Sequence, residues 1–273
     1  MENKDIKVLI IKAPGTNCDE ETARSFLDFG SKVDKINIKK LVSNKIDLAS
    51  YQILVFPGGF SFGDDISAGK VLANEIIYKI KDSLYDFVNS KKLILGICNG
   101  FQVLVKTGLL PGIDGIFDKV QYTSLINNDS GKFECSWGYL KKNDKNKSPF
   151  LKYLPKVISI PWAHGEGKFI TNPEILKKIE DLNLVAFSYS DEFGNISDKY
   201  PICPNGATNA IAGITNKLGN VLGLMPHPER AFKKYQTKNW TLSKSKNKDF
   251  NYLDYADGYF IFKGAIEYIK ENF

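Results

Sequence analysis

Short apolar runs alternate with segments of helical periodicity over residues 6–107. Ile6–Ile11 is apolar and β-branched, which predicts a central strand. Pro14-Gly15 turns the chain, and a helix is predicted over Asp19–Phe29, capped by Asn17 or Thr16 and stopped by Gly30. Ser31–Ile38 and Tyr51–Pro57 read as the second and third strands. Ile66–Asn89 reads as a long helix, with Val71, Leu72, Ile76, Ile77, Ile80, Leu84, Phe87 and Val88 on its apolar face. Leu93-Ile94-Leu95 is a fourth short strand. Strands and helices in this order predict right-handed βαβ units and a parallel sheet, hence an α/β fold. At 273 residues one large α/β domain over 1–273 is the simplest count.

The pattern changes after Gly108-Leu109-Leu110-Pro111-Gly112. Interrupted runs predict strands over Ile116–Ile126, Lys132–Leu140, Val157–Ile160 and Gly167–Ile170, with Lys141–Ser148 as a charged loop. Cys135 and Trp137 are expected in or near the core. Asn172–Glu180 is a short helix and Leu184–Ser188 a strand. Ala210–Thr215 and Val221–Leu224 form a hairpin turning at Gly219-Asn220. A surface loop rich in Lys, Asn and Ser is expected about 233–252, and an amphipathic helix over about 255–271 docks back on the domain.

Against this frame Lys91–Thr107 stands out. A buried strand runs into Gly96-Ile97-Cys98-Asn99-Gly100 and then into a helical pattern. A sharp strand-to-helix turn through small residues is a nucleophile elbow. Glycines two residues to either side of Cys98 permit close backbone approach and place Cys98 in an exposed, strained conformation at the sheet edge. The sulfur then sits at a helix N-terminus, where free N–H groups and the dipole favour thiolate. A lone free cysteine is more often a small buried hydrophobe. The glycine bracket and the distant Pro226-His227-Pro228-Glu229 segment shift that balance. A thiol nucleophile needs a base and the base an orienter. In an extended or turn segment i and i+2 side chains leave on the same side, so Glu229 can orient His227 for Cys98. Gly58-Gly59 directly after the third strand can turn N–H groups outward as an oxyanion hole, although glycine-rich turns are common. The Gly59 amide paired with that of Asn99 is the candidate. Gln102, four residues past Cys98, returns to the same helix face. The Thr16-Asn17-Cys18 loop falls at the C-terminal end of the first strand, where open α/β sheets place ligands.

Composition narrows the classes. Lys and Arg total 37 against 31 Asp and Glu, a net charge of +6. The lysine clusters at 140–152 and 233–248 read as a solvated basic face rather than a nucleic-acid surface. Cys18, Cys98, Cys135 and Cys203 are widely spaced with no CxxC pair, which argues against a metal site and a disulfide scaffold. No signal peptide and no stretch of membrane-spanning length is apparent. A cytoplasmic, reducing setting follows, and it suits a free thiolate. No dinucleotide fingerprint or P-loop is present, so no nucleotide site is expected in this chain.

The block GICNGFQ together with MPHPER resembles the class I, triad-type glutamine amidotransferases. More narrowly, the set APGTNCDEET (13–22), FPGGFSFGDDISAGK (56–70), GICNGFQVLVKTGLLPG (96–112), AHGEG (163–167), PNGATNAIAGITN (204–216) and GNVLGLMPHPER (219–230) is similar to the glutaminase subunits of phosphoribosylformylglycinamidine synthase. The resemblance implies a flavodoxin-like three-layer fold with a mostly parallel central sheet. It implies hydrolysis of L-glutamine to glutamate and ammonia by Cys98, His227 and Glu229, with Gln102 helping to hold the substrate. It places His164 near the active-site mouth without making it the triad base; otherwise His164 is a structural loop histidine. It implies a synthetase (large) subunit that receives the ammonia, and a small accessory subunit. ATP and Mg are expected on the partner, and no cofactor in this chain. The alternatives are a self-contained cysteine hydrolase of the same superfamily, an amidotransferase subunit for another acceptor, and a degenerate binding subunit. The 233–252 insertion departs from the family pattern.

Overall fold

The computed structural model describes residues 1–43, 46–247 and 249–273. One residue of the expected 233–252 loop, Lys248, lies outside the described residues. The strands are β1 (Lys7–Lys12), β2 (Lys32–Asn37), β3 (Ile53–Phe56), β4 (Leu93–Ile97), β5 (Thr123–Ile126), β6 (Glu134–Lys142), β7 (Val157–His164), β8 (Lys168–Thr171), β9 (Val185–Ser190), β10 (Ile211–Thr215) and β11 (Val221–Leu224). The helices are α1 (Asp19–Leu27), α2 (Ile38–Val42), α3 (Lys70–Asn89), α4 (Asn99–Thr107), α5 (Pro173–Asp181), α6 (Trp240–Lys246) and α7 (Tyr259–Asn272).

Among the described residues the main sheet has the order β2-β1-β3-β4-β11-β10-β9-β6-β7. The strands from β2 to β11 pair in parallel. Their order is the flavodoxin-like doubly wound one, in which ligands gather outside the carboxyl ends of the strands. Right-handed crossovers then place α1 and α3 on opposite faces, because β1 to β2 and β3 to β4 step in opposite directions. The remaining strands, β10, β9, β6 and β7, extend the sheet antiparallel. β5 and β8 form a separate antiparallel pair. The central parallel strands carry apolar runs because helices cover both faces, and Val8, Leu9, Ile53, Leu54, Ile94 and Leu95 are all fully buried; the edge strand β2 is largely polar and exposed. Burial of each such side chain contributes about 1.5–3 kcal/mol relative to exposure.

Several expectations shift. The first helix is not side-chain capped: its N-cap is Cys18, while Thr16 Oγ1 accepts from the Ala13 N–H and Asn17 Oδ1 takes the Cys18 thiol. The long helix begins at Lys70 rather than Ile66, because Ile66 and Gly69 hold positive φ of 71° and 74°. The strand expected from Ile116 begins at Thr123; before it the chain is a turn gathered on Asp118, whose carboxylate accepts the N–H groups of Gly112 and Asp114. Cys135 is exposed, on a strand whose outer positions face solvent and a cleft, whereas Trp137 is half-buried and packs against the core as expected. The expected 233–252 loop contains a 3₁₀ turn at Lys234–Gln236 and the short exposed helix α6. The C-terminal helix starts at Tyr259, with Ile261, Phe262, Ala265, Ile266 and Ile269 buried against the domain. Among the described residues no helix is long and apolar enough to cross a membrane.

Candidate active site

Four loops at the carboxyl ends of parallel strands, those after β1, β3, β4 and β11, contribute to one cleft of about 540 Å³, completed by residues 127–135 and 163–166. Cys98 follows β4 with φ 50° and ψ −106°, a sparsely populated backbone conformation that the surroundings hold in place. Its N–H donates to Leu224 O at 2.8 Å, which ties the turn to β11. The turn requires glycine. A Cβ on Gly100 would lie 1.8 Å from Phe56 O, and one on Gly96 would lie 2.7 Å from Gly100 O. The expected exposure of Cys98 does not hold: the residue is 6 % exposed, because β7 covers the turn and the thiol donates to Ala163 O at 3.6 Å. Cys98 lines the cleft.

β11 delivers His227 and Glu229. The His227 N–H donates to Pro161 O at 2.8 Å, fixing this segment against β7. His227 Nδ1 lies 2.6 Å from Glu229 Oε1, and both residues are buried. Nδ1 therefore carries the proton shared with the carboxylate, and Nε2, which has no hydrogen-bond partner, is the nitrogen left for chemistry. Burial alone would push the imidazole pKa down. The Glu229 carboxylate, and after it Cys98, outweigh burial and hold His227 well above its ordinary value. The spacing argument for His227 and Glu229 thus matches the geometry.

Gly59 takes φ 138°, and a Cβ there would meet Asn17 N at 2.7 Å. The N–H groups of Asn17 and Cys18 both donate to Gly58 O, clamping the β1 loop onto the β3 loop. Among the described residues neither the Gly59 N–H nor the Asn99 N–H finds an internal acceptor; Asn99 opens α4, where N–H groups are free by construction. The Asn99 side chain is fully engaged: Oδ1 accepts from Ser61 N, and Nδ2 donates to Asp64 Oδ1 and to Gln102 Oε1, both at 2.9 Å. Gln102 lines the cleft, and its Nε2 donates to Glu166 O at 2.7 Å.

His164 lines the same cleft and is buried there, because the alternation of β7 turns Ile158, Ile160, Trp162 and His164 inward. Asn128 donates through Nδ2 to the carbonyls of Lys132 and His164, so its Oδ1 is the acceptor facing His164 Nδ1 at 3.2 Å. His164 is therefore the Nδ1–H tautomer. Burial, with the nearby His227 charge, pushes its pKa down to about 4.

Cys18 and Arg230 were legible only as parts of motif blocks. Cys18 Sγ sits 4.0 Å from His227 Nδ1, donates to Asn17 Oδ1 and accepts from Arg230 Nη2 at 3.1 Å. Arg230 also bonds Glu21 and approaches Glu229 Oε1 at 4.0 Å. Burial pushes the Cys18 thiol up, so it stays protonated. The donor atoms of Cys18, His227 and Glu229 lie within 4.8 Å of one another. A guanidinium 3.1 Å from that sulfur and a carboxylate already on Nδ1 make the group a poor cation site.

A doubly wound sheet with a cysteine elbow, a His–Glu pair and outward amides in one cleft defines a glutamine amidotransferase, and the model of the CobB/CobQ-like glutamine amidotransferase domain matches residues 5–269. Among curated proteins, the phosphoribosylformylglycinamidine synthase subunit PurQ of Dehalococcoides mccartyi is 41% identical over 97% of this chain and 98% of its own. That of Methanococcus maripaludis is 40% identical over 97% and 98%. The chain belongs to the family of phosphoribosylformylglycinamidine synthase PurQ subunits. Among solved structures, PurLQS from Thermotoga maritima superposes with a TM-score of 0.70 at 29% identity, over 97% of this chain and 99% of that one. A glutamine amidotransferase from Thermotoga maritima, at 17% identity and a TM-score of 0.51 over 98% of this chain and 93% of that one, shares the fold.

Proposed function

We propose that this chain releases ammonia from L-glutamine through Cys98, His227 and Glu229 and feeds it to a synthetase subunit that makes formylglycinamidine ribonucleotide. The observation that carries the reading is the buried 2.6 Å His227–Glu229 contact in the cleft of the Cys98 elbow. His227, held by Glu229, takes the thiol proton, and the sulfur attacks the carboxamide carbon of glutamine. The Gly59 and Asn99 amides receive the oxyanion; one such donor is worth roughly 10²–10³ in rate. The tetrahedral adduct collapses to a γ-glutamyl thioester as His227 returns the proton to the departing ammonia. Water then adds to the thioester with His227 as base, releasing glutamate and restoring the thiol.

ATP and Mg belong, in this reading, to the synthetase subunit, and a small accessory subunit completes the assembly. The free cysteines of the cleft fit a reducing, cytoplasmic setting. The test is glutamate release from L-glutamine by the purified chain with its synthetase partner, for wild type and Cys98→Ala. Release that vanishes in Cys98→Ala is the expected outcome; release that survives it removes the triad from the chemistry.

A further inference from the structure

Asp64 and Glu166 have no part in the chemistry above, yet both line the Cys98 cleft. They sit side by side on one piece of backbone: the Ala68 N–H donates to Glu166 Oε2, and the next N–H, of Gly69, bonds Asp64. A chain of hydrogen bonds joins them beside the nucleophile, from Asp64 to Asn99, from Asn99 to Gln102 and from Gln102 to the Glu166 carbonyl. The loop that carries Asp64 is strained, with φ of 56° at Phe62, 55° at Asp64 and 71° at Ile66, a conformation kept where function needs a side chain aimed. Among the described residues neither carboxylate is in an ion pair. Lys106 is the cation that acts on Asp64, its ammonium donates to the Ala68 carbonyl, and Lys70 lies near it in turn. Among the described residues neither lysine closes an ion pair with Asp64 or Glu166, so both carboxylates are left to face the cleft.

We propose that Asp64, with Glu166 beside it, binds the α-ammonium group of the glutamine substrate and so selects an amino-acid amide over a simple amide. This rests on the glutaminase reading of the same cleft. The γ-carboxamide lies at Cys98 and the amino end of the substrate at the carboxylates one hydrogen-bonded side chain away. Burial pushes the Asp64 carboxyl pKa up and the Glu166 charge adds to it, a penalty that an incoming ammonium relieves. Gln102, whose amide is held by Asn99 and Glu166, then acts as the spacer that sets the distance between the two ends.

The test uses the chain assembled with its synthetase partner and two substrates, L-glutamine and its des-amino analogue glutaramate (5-amino-5-oxopentanoate). Wild type is expected to favour glutamine by about 10- to 100-fold in kcat/KM, the range of a charge-assisted hydrogen bond. Asp64→Asn, which keeps the shape and the bond to Asn99, should raise KM for glutamine by a similar factor while kcat changes little. It should leave kcat/KM for glutaramate as it was. Glu166→Gln should move the same ratio in the same direction and stands in should Asp64→Asn fold poorly. Equal use of both substrates by wild type overturns the proposal. So does a loss in Asp64→Asn that falls equally on both, which is the mark of a brace for the loop. A wild-type complex that releases no glutamate from L-glutamine would instead overturn the glutaminase reading, and this inference with it.

Discussion

A buried histidine is expensive to charge, and the Glu229 carboxylate 2.6 Å from Nδ1 offsets that cost, so His227 takes up a proton more readily than an ordinary imidazole. Its folded pKa lies above the unfolded value of about 6.5, so its stabilising contribution is fully present below that pH and is lost as pH rises through the folded value. Glu229→Gln removes the largest of the groups that oppose burial, and the folded pKa falls. The stability gap between wild type and Glu229→Gln should therefore be widest below about pH 6.5, on the order of 3 kcal/mol, and close toward alkaline pH, as denaturant titrations at both ends would read. The same variant should lower kcat roughly 10²–10⁴-fold, since the imidazole loses its fixed tautomer. His164 runs the other way. With a folded pKa of about 4 it favours the native state above the unfolded value, and that advantage falls away between about pH 6.5 and 4. His164→Gln, whose amide can still donate to Asn128, should remove up to about 3 kcal/mol of this acid sensitivity; an unchanged pH–stability curve would contradict the assignment. Cys98, His227 and Glu229 were legible in the sequence because their chemistry is local in spacing or bracketed by glycines. The Cys18–Arg230 contact joins residues 212 positions apart, and nothing local marks it.

At the scale of the element, the strand–turn–helix of β4 and α4 is the unit that makes the site. Phe56 O and Gly100 are in contact because β3 and β4 are neighbours and α4 starts directly over both. Gly100→Ala should therefore cost on the order of 3 kcal/mol or more and move the Asn99 amide with it, whereas Gly115→Ala, which meets open space, should stay within about 0.5 kcal/mol in the same melts. Comparable losses at both positions would count against the tight turn. The parallel half of the sheet was legible because its central strands β1, β3 and β4 are apolar runs spaced by helical periods. Helix starts were not, since Ile66 and Gly69 are set by the cleft loop they serve and not by helix propensity. Beyond the β10–β11 hairpin the pairing of the antiparallel strands was not legible for a different reason: β6 must pair with β9 and β7 at once, and half-buried strands carry no record of which partner they take.

Across the whole molecule, the two halves of the sheet meet at the chemistry. β7, the edge strand of the antiparallel extension, sends Pro161 O to the His227 N–H and Ala163 O to the Cys98 thiol. The thiol thus donates to a carbonyl while His227 Nε2 has no hydrogen-bond partner, although Cys98 lies near enough to His227 to raise its pKa. An edge strand is held by neighbours on one side only and is the part of a sheet that a docking protein can bias. A small shift of β7 would release the thiol toward Nε2, and a partner that binds the shifted form more tightly stabilises it by that difference in affinity. The isolated chain should then be a slow glutaminase, and the synthetase partner should raise its kcat by about tenfold to a hundredfold, the range of ordinary coupling energies. Alkylation of Cys98 by iodoacetamide should quicken in parallel, because the same shift of β7 frees the sulfur from the Ala163 carbonyl. A chain equally fast alone and in complex would show that β7 does not gate the thiol. Parallel acceleration of turnover and alkylation would make the edge strand the element through which ammonia production is kept in step with its use.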